Sequence, residues 1–253
     1  MTTDHHHDTD EDSADRHETA ASDAVADWEP EIEPSADVSG GGGDEPALIS
    51  PGRLEAFSDG VIAIAITLLS LEIKLPEDGG SLLRSLASLW PGYVGFVLSF
   101  LLVGQVWLNH HAIFTRVRSV HQWMLICNLF LLLDVAFLPF ATSVLTRSLE
   151  SGHDERTGAV FYGMVMVVGG LFFNALWRAS IRDRGRLRAG VSEAEVRSMT
   201  RRFAMGPWLY SLAALLGMVS AWLSVVTYVA LIVFYMAGHR PRIEGGRVSP
   251  AGG

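Results

Sequence analysis

Long apolar segments are the feature that most constrains the fold of this chain. Five of them stand out: residues 53–73, 90–114, 122–146, 158–180 and 203–237. A helix needs about 20 mostly apolar residues to cross the hydrocarbon core of a bilayer. The sequence therefore predicts an all-α membrane protein.

The last apolar segment is too long for a single crossing. Its 35 residues would extend about 52 Å as one helix, whereas the hydrocarbon core is about 30 Å thick. We therefore expect the chain to reverse near Gly217–Ala221. This reversal brings the predicted number of transmembrane helices to six.

Charge divides the chain into an acidic tail and a mildly basic body. Residues 1–46 contain fifteen acidic residues and one basic residue, Arg16, whereas the remaining residues contain eighteen basic and thirteen acidic ones. The tail has too little apolar surface to offset its chain entropy on folding. We therefore predict a disordered acidic tail over 1–47, a six-helix transmembrane domain over 48–238 and a short C-terminal tail over 239–253.

The basic residues of the body indicate its orientation in the membrane. With six spans and an internal N-terminus, fourteen of them fall on the cytoplasmic side and four outside, as the positive-inside rule requires. Both termini and the Arg-rich loop 181–202 are thus predicted to be cytoplasmic, in a multi-pass protein of the cell membrane. Ser192 and Glu195 form a capping-box pattern, which predicts a short surface helix in this loop. The simplest role of this loop's charge is to set the orientation of the chain. The lipid bilayer is an expected partner, whereas nucleic acid is not expected to bind a chain embedded in a membrane.

The first apolar segment, "GRLEAFSDGVIAIAITLLSLEIKLP" at 52–76, combines a polar start with a continuous apolar stripe. Ser50 followed by Pro51 is typical of a helix N-terminus. Polar side chains occupy the first two turns, at Arg53, Glu55, Ser58 and Asp59. Helical spacing then places five large apolar residues on one stripe: Phe57, Val61, Ile64, Leu68 and Leu71.

The second span offers hydrogen-bond partners for this polar start. Its segment "GQVWLNHHAIF" contains Gln105, Asn109 and His110, with His111 beside them. Gln105 and Asn109 are four residues apart and share a helix face. Charged and polar side chains at membrane depth are costly unless they face the interior of a bundle. We therefore expect these groups to anchor the first helix to its neighbours.

These stretches resemble the prokaryotic members of the TMEM175 potassium channel family. The family pattern Arg-x-x-x-Phe-Ser-Asp is met by Arg53, Phe57, Ser58 and Asp59. The "WLNHH" stretch of the second span and the "NLFLLLDVAFLPF" stretch of the third are also similar to the family. The resemblance covers roughly residues 48–238 and leaves the acidic tail outside.

The resemblance implies a homotetramer in which the first helix of each subunit lines a central pore. It implies a cation channel that prefers potassium, with K⁺ as the permeant ion and no cofactor. The family's pore constrictions correspond to Ile64, Leu68 and Leu71, and the selectivity threonine of its animal members corresponds to Thr67. The filter sequence Thr-Val-Gly-Tyr-Gly of ordinary potassium channels does not occur in this chain.

Two other classes of function compete with a channel. A proton-coupled secondary transporter could use intramembrane acids such as Asp59 and Asp134, although no inverted repeat is evident. An intramembrane metalloenzyme could use His110, His111 and His121. Adjacent histidines point about 100° apart on a helix, so we predict neither a metal site nor an enzyme.

Overall fold

The structure is a computed structural model that describes residues 49–75 and 81–237. The two tails predicted from the sequence, 1–47 and 239–253, lie outside these described residues. Within them the chain forms seven α-helices and two 3₁₀ turns, Leu69–Glu72 and Arg184–Arg186. The helices are α1 Pro51–Leu68, α2 Leu82–Ser88, α3 Trp90–Phe114, α4 Gln122–Ser151, α5 Glu155–Ile181, α6 Glu193–Val219 and α7 Ala221–Ala237.

Four stretches of helix are long and apolar enough to cross a membrane: Pro51–Glu72, Trp90–Phe114, Gln122–Ser151 and Glu155–Ile181. They coincide with the first four predicted spans. The other two predicted spans correspond to α6 and α7. The first ten residues of α6 include five charged ones, and the apolar part of α7, Ala221–Tyr235, is shorter than a typical span. The expectation of an all-α membrane protein is confirmed.

The predicted reversal within 203–237 is also confirmed. Helix α6 ends at Val219, and Ser220 has extended backbone angles, φ −154° and ψ 128°. The two helices then run antiparallel. The Ser224 hydroxyl donates to the Ala213 carbonyl oxygen at 2.8 Å, and Arg202 near the start of α6 donates to the Tyr235 carbonyl oxygen near the end of α7 at 3.0 Å.

Small residues allow the helices to approach closely. A Cβ atom at Gly163 of α5 would lie 2.9 Å from the Ala214 Cα atom of α6, which is closer than two such atoms can come. Buried hydroxyls add cross-links, since the Ser99 Oγ atom lies 2.7 Å from the Thr142 Oγ1 atom and 3.0 Å from the Tyr162 hydroxyl. Small residues and interhelical hydrogen bonds are the usual means of helix association in membranes.

The α3–α4 and α5–α6 loops join at one end of the bundle. The Arg118 amide donates to the Arg186 carbonyl oxygen at 2.8 Å, and the Arg188 amide donates to the Arg116 carbonyl oxygen at 2.9 Å. The Arg116 guanidinium also donates twice to Glu195, at 2.6 and 2.8 Å. These bonds hold the start of α6 against the loop that precedes α4.

The capping pattern in this loop marks the start of α6 itself. The Ser192 hydroxyl accepts from the Glu195 amide at 3.2 Å, as the sequence predicts. The helix that begins here continues without interruption to Val219, so it is longer than the short surface helix expected. The reason is that the charged first turns lead directly into apolar residues from Phe203 onward.

Candidate functional site

Helix α1 has two faces of opposite character. Its buried face, packed against α3 and α4, consists of Leu54, Ser58, Ile62 and Ala65. The adjoining face carries large apolar side chains that are exposed in the single subunit, Phe57 (54%), Ile64 (61%) and Leu68 (41%), followed by Leu71 (65%) in the 3₁₀ turn. Val61, on the same predicted stripe, is partly buried against the core. Exposed apolar side chains in such a row indicate a surface that meets lipid or another protein chain.

The start and the end of α1 follow from local hydrogen bonding. The Ser50 hydroxyl accepts from the Arg53 amide at 3.4 Å, and Pro51 occupies the first helical position. At the other end the Thr67 hydroxyl donates to the Ile64 carbonyl oxygen at 2.8 Å, so this exposed side chain is satisfied within its own helix. The chain then tightens into the 3₁₀ turn that contains Leu71.

A buried hydrogen-bonded chain joins α1 to α3 and α4. The Asn128 Nδ2 atom donates to the Ser58 hydroxyl at 2.9 Å, and the Asn128 Oδ1 atom lies 2.9 Å from the His110 Nε2 atom. The Ser58 hydroxyl in turn donates to the Leu54 carbonyl oxygen at 2.8 Å. All three polar side chains are buried. One amide thus supplies both the donor and the acceptor that hold three helices together.

Two more polar pairs connect α1 with α3 nearer the protein surface. The Trp107 Nε1 atom donates to the Asp59 carboxylate at 3.0 Å. The His111 Nδ1 atom lies 2.7 Å from the Glu55 Oε1 atom. The rings of Trp107 and His111 stack with centroids 6.2 Å apart, so the two pairs form one continuous contact.

The structure brings together some of the predicted site residues and separates others. Ser58 and His110 meet through Asn128, and Asp59 meets Trp107. Arg53 is exposed and makes no side-chain hydrogen bond or ion pair with the described part of the chain. Gln105 and Asn109 are buried, and they line an internal cavity formed by α3 to α7.

Sequence reasoning missed Asn128 and Trp107 as members of this site. Asn128 carries a detectable signal, since it is a polar amide two turns inside an apolar helix. Trp107 carries less, because a tryptophan in a span is equally compatible with a lipid-facing position. The adjacent histidines diverge as helix geometry requires, with His110 buried and His111 exposed.

Metal ligation was the basis of the competing metalloenzyme hypothesis. Among the described residues there is no group of three or more His, Cys, Asp or Glu side chains arranged to hold a metal ion. The only cysteine, Cys127, is partly buried in α4 and is a free thiol.

Comparison with known proteins relates this geometry to a family. The family model described as "Endosomal/lysosomal potassium channel TMEM175" matches residues 53–139. A potassium channel of Streptomyces collinus is 40% identical over 186 residues, which cover 73% of this chain and 90% of the relative. A potassium channel of Chamaesiphon minutus is 37% identical over 196 residues, which cover 76% of this chain and 96% of the relative.

The animal relatives match a smaller part of this chain and of their own length than the bacterial relatives do. The mouse endosomal/lysosomal proton channel TMEM175 is 33% identical over 148 residues, or 54% of this chain and 30% of the relative. Among solved structures, the crystal structure of a lysosomal potassium-selective channel TMEM175 homolog from Chamaesiphon minutus has a TM-score of 0.68 at 38% identity. That match covers 74% of this chain and 97% of the solved one. This multi-pass, all-α membrane protein belongs to the TMEM175 family.

Proposed function

We propose that the protein is a potassium-preferring cation channel. Four copies would form a homotetramer in which α1 of each subunit lines a central pore. Two bacterial relatives are named potassium channels, and the match extends over nearly their whole length. These relatives support potassium as the permeant ion. One helix cannot surround a pore, but four equivalent helices around an axis can.

The observation that carries this proposal is the contrast between the two faces of α1. Ile62 is 2% exposed, whereas Ile64, two residues or about 200° further around the helix, is 61% exposed. The exposed stripe is therefore available to face a central axis while the buried face holds the helix to α3 and α4. Rings of Ile64, Leu68 and Leu71 would form apolar constrictions, which can gate a pore by dewetting. Thr67 would add a hydroxyl between them.

Anchoring of α1 to its neighbours is the role we propose for residues at the start of α1 and for polar residues of α3. The set consists of Arg53, Phe57, Ser58 and Asp59 of α1 and of Gln105, Asn109 and His110 of α3. The bonds of Ser58, Asp59 and His110 to neighbouring helices support this role. Arg53 and Phe57 are exposed in the single subunit, and we propose that they contact adjacent subunits at the mouth of the pore.

The proposed channel acts in the cell membrane with both termini in the cytoplasm, as the distribution of basic residues indicates. It requires no bound cofactor and no catalytic residue, because K⁺ itself passes through. The chain lacks the Thr-Val-Gly-Tyr-Gly filter, so potassium preference must come from the pore helix. Side-chain rings of defined radius and polarity are one physical means of achieving it.

A proton-coupled transporter is the alternative. It is favoured by one observation, a carboxylate, Asp134, that lines an internal cavity within the subunit. Transporters move substrate in slow cycles, whereas a channel passes many ions for each opening.

Recording from purified protein in a planar bilayer tests the proposal. With potassium on one side and sodium on the other, we expect discrete unitary currents and a reversal potential shifted toward that of potassium. Slow uptake that requires a proton gradient, without unitary currents, would instead support the transporter.

A further inference from the structure

The internal cavity of the subunit is separate from the proposed pore. It has a volume of about 70 Å³ and is lined by residues of α3, α4, α5, α6 and α7. No residue of α1 is among those that line it. A function of this cavity would therefore be independent of the exposed stripe on α1.

Polar groups face the cavity without sufficient protein partners. Gln105 is 8% exposed, and its Oε1 atom accepts no hydrogen bond from any described residue. Asn174 donates from its Nδ2 atom to the carbonyl oxygens of Gly170 and Phe203, both at 2.8 Å, which leaves its Oδ1 atom available. A buried acceptor without a donor is destabilising, so a donor within the cavity would stabilise the fold.

A carboxylate lies in the same cavity. Asp134 makes no hydrogen bond or ion pair with the described residues, although it lines the cavity halfway along α4. Its Oδ2 atom packs against Gly169 of α5, where even a Cβ atom would collide with it. The glycine thus creates the space that the carboxyl group occupies between two helices.

Water is the ligand that fits this combination. A cavity needs about 10–15 Å³ of free volume to hold one water molecule. The cavity of about 70 Å³ therefore accommodates several. Water donates to the acceptors of Gln105 and Asn174 and solvates the carboxyl group. We propose that the cavity is an internal water site and that Asp134 is its proton-binding group.

Other charged and titratable groups share the cavity with Asp134. Arg202 and Tyr210 of α6 and Tyr235 of α7 line it, while α3 contributes the amides Gln105 and Asn109 and α5 contributes Asn174 and two glycines. Asp134 lies twelve residues from the start of α4, or about 18 Å along the helix, on the side where the α3–α4 and α5–α6 loops join.

Infrared difference spectroscopy of the full-length protein in lipid membranes tests the proposal. Lowering the pH should produce the carbonyl stretch of a protonated carboxylic acid. The band should be lost in Asp134→Asn, and in the wild type it should shift on transfer to D₂O because water reaches the group. Gln105→Leu removes one water partner, so the D₂O shift should develop more slowly.

The control is Glu55→Gln, which changes a carboxyl group at the partly exposed pair on α1 and should leave the Asp134 band in place. If Asp134→Asn does not fold, Asp134→Glu keeps a carboxyl group at the site and should shift the frequency of the same band, whereas an unmoved band would contradict the proposal. The absence of any carboxylic acid band that depends on Asp134 would overturn the proposal. So would a band that D₂O does not shift, since the cavity would then be dry.

Discussion

At the scale of single residues, Asn128 bridges three helices. Its Nδ2 atom donates to Ser58 of α1 and its Oδ1 atom accepts from the Nε2 atom of His110 of α3, while the residue itself lies on α4. A buried side chain that bridges three elements rigidifies their relative positions only while every member is satisfied.

We predict that Asn128→Ala destabilises the protein without changing ion preference. The substitution removes a partner from both Ser58 and His110, and each unsatisfied buried group costs about 1–3 kcal/mol. The midpoint of thermal unfolding in detergent should fall, and less protein should be recovered as an assembled species. Thr227→Val is the control, because the exposed Thr227 hydroxyl donates only within its own helix. An unfolding midpoint equal to that of the wild type would contradict the role assigned to Asn128.

The sequence predicted only part of this residue-scale arrangement. It identified Ser58 and His110 as buried polar groups that require partners, because unpaired groups at membrane depth are costly. It could not identify their bridge, since the register of α3 against α4 decides which side chains meet. A shift of one residue rotates a helical side chain by about 100°, which would move Asn128 out of reach.

At the scale of helices, close packing between α5 and α6 depends on Gly163. A Cβ atom there would lie 2.9 Å from the Ala214 Cα atom and would also collide with the Ala214 Cβ atom and the Tyr228 hydroxyl. Backbone atoms cannot yield as a flexible side-chain end does, so the helices themselves would have to separate.

We therefore predict that Gly163→Ala is destabilising by about 1–3 kcal/mol, the usual cost of overpacking. The matched control is Gly104→Ala on α3, where a Cβ atom meets nothing within 4 Å inside the subunit. Reversible unfolding in mixed detergent micelles compares the two variants. Equal stabilities would show that α5 and α6 are not held at the distance described.

Helix positions were more predictable than helix ends. The apolar segments predicted α1, α3, α4 and α5, and segment length predicted the break at Ser220, because hydrophobic thickness limits a span. The 3₁₀ turn after Leu68 and the unbroken course of α6 from its capped start to Val219 were not predicted. Both features depend on local hydrogen bonds of side chains to the backbone. The Thr67 hydroxyl bonds within α1 just before the turn, and the Ser192 hydroxyl caps the start of α6.

At the scale of the whole molecule, the subunit leaves most of the apolar stripe of α1 exposed. Phe57, Ile64, Leu68 and Leu71 are exposed, whereas Val61 packs partly against the core. We predict that the purified protein is a tetramer, because four stripes around one axis would form a closed pore wall. Native mass spectrometry of the detergent complex should give four times the chain mass of 27.6 kDa. A stable monomer that still conducts ions would contradict this assembly.

The proposed orientation of α1 towards the pore can be tested by recording currents from two matched variants. Ile64→Asn should wet an apolar ring, raise the current and weaken discrimination between potassium and sodium. Ile62→Asn instead buries a polar group against α3 and α4, so it should lower stability and yield. Currents from both variants are compared under mixed potassium and sodium. Ile64→Asn alone should change conductance and selectivity. Unchanged currents in Ile64→Asn together with altered selectivity in Ile62→Asn would show that α1 does not face the pore with this stripe.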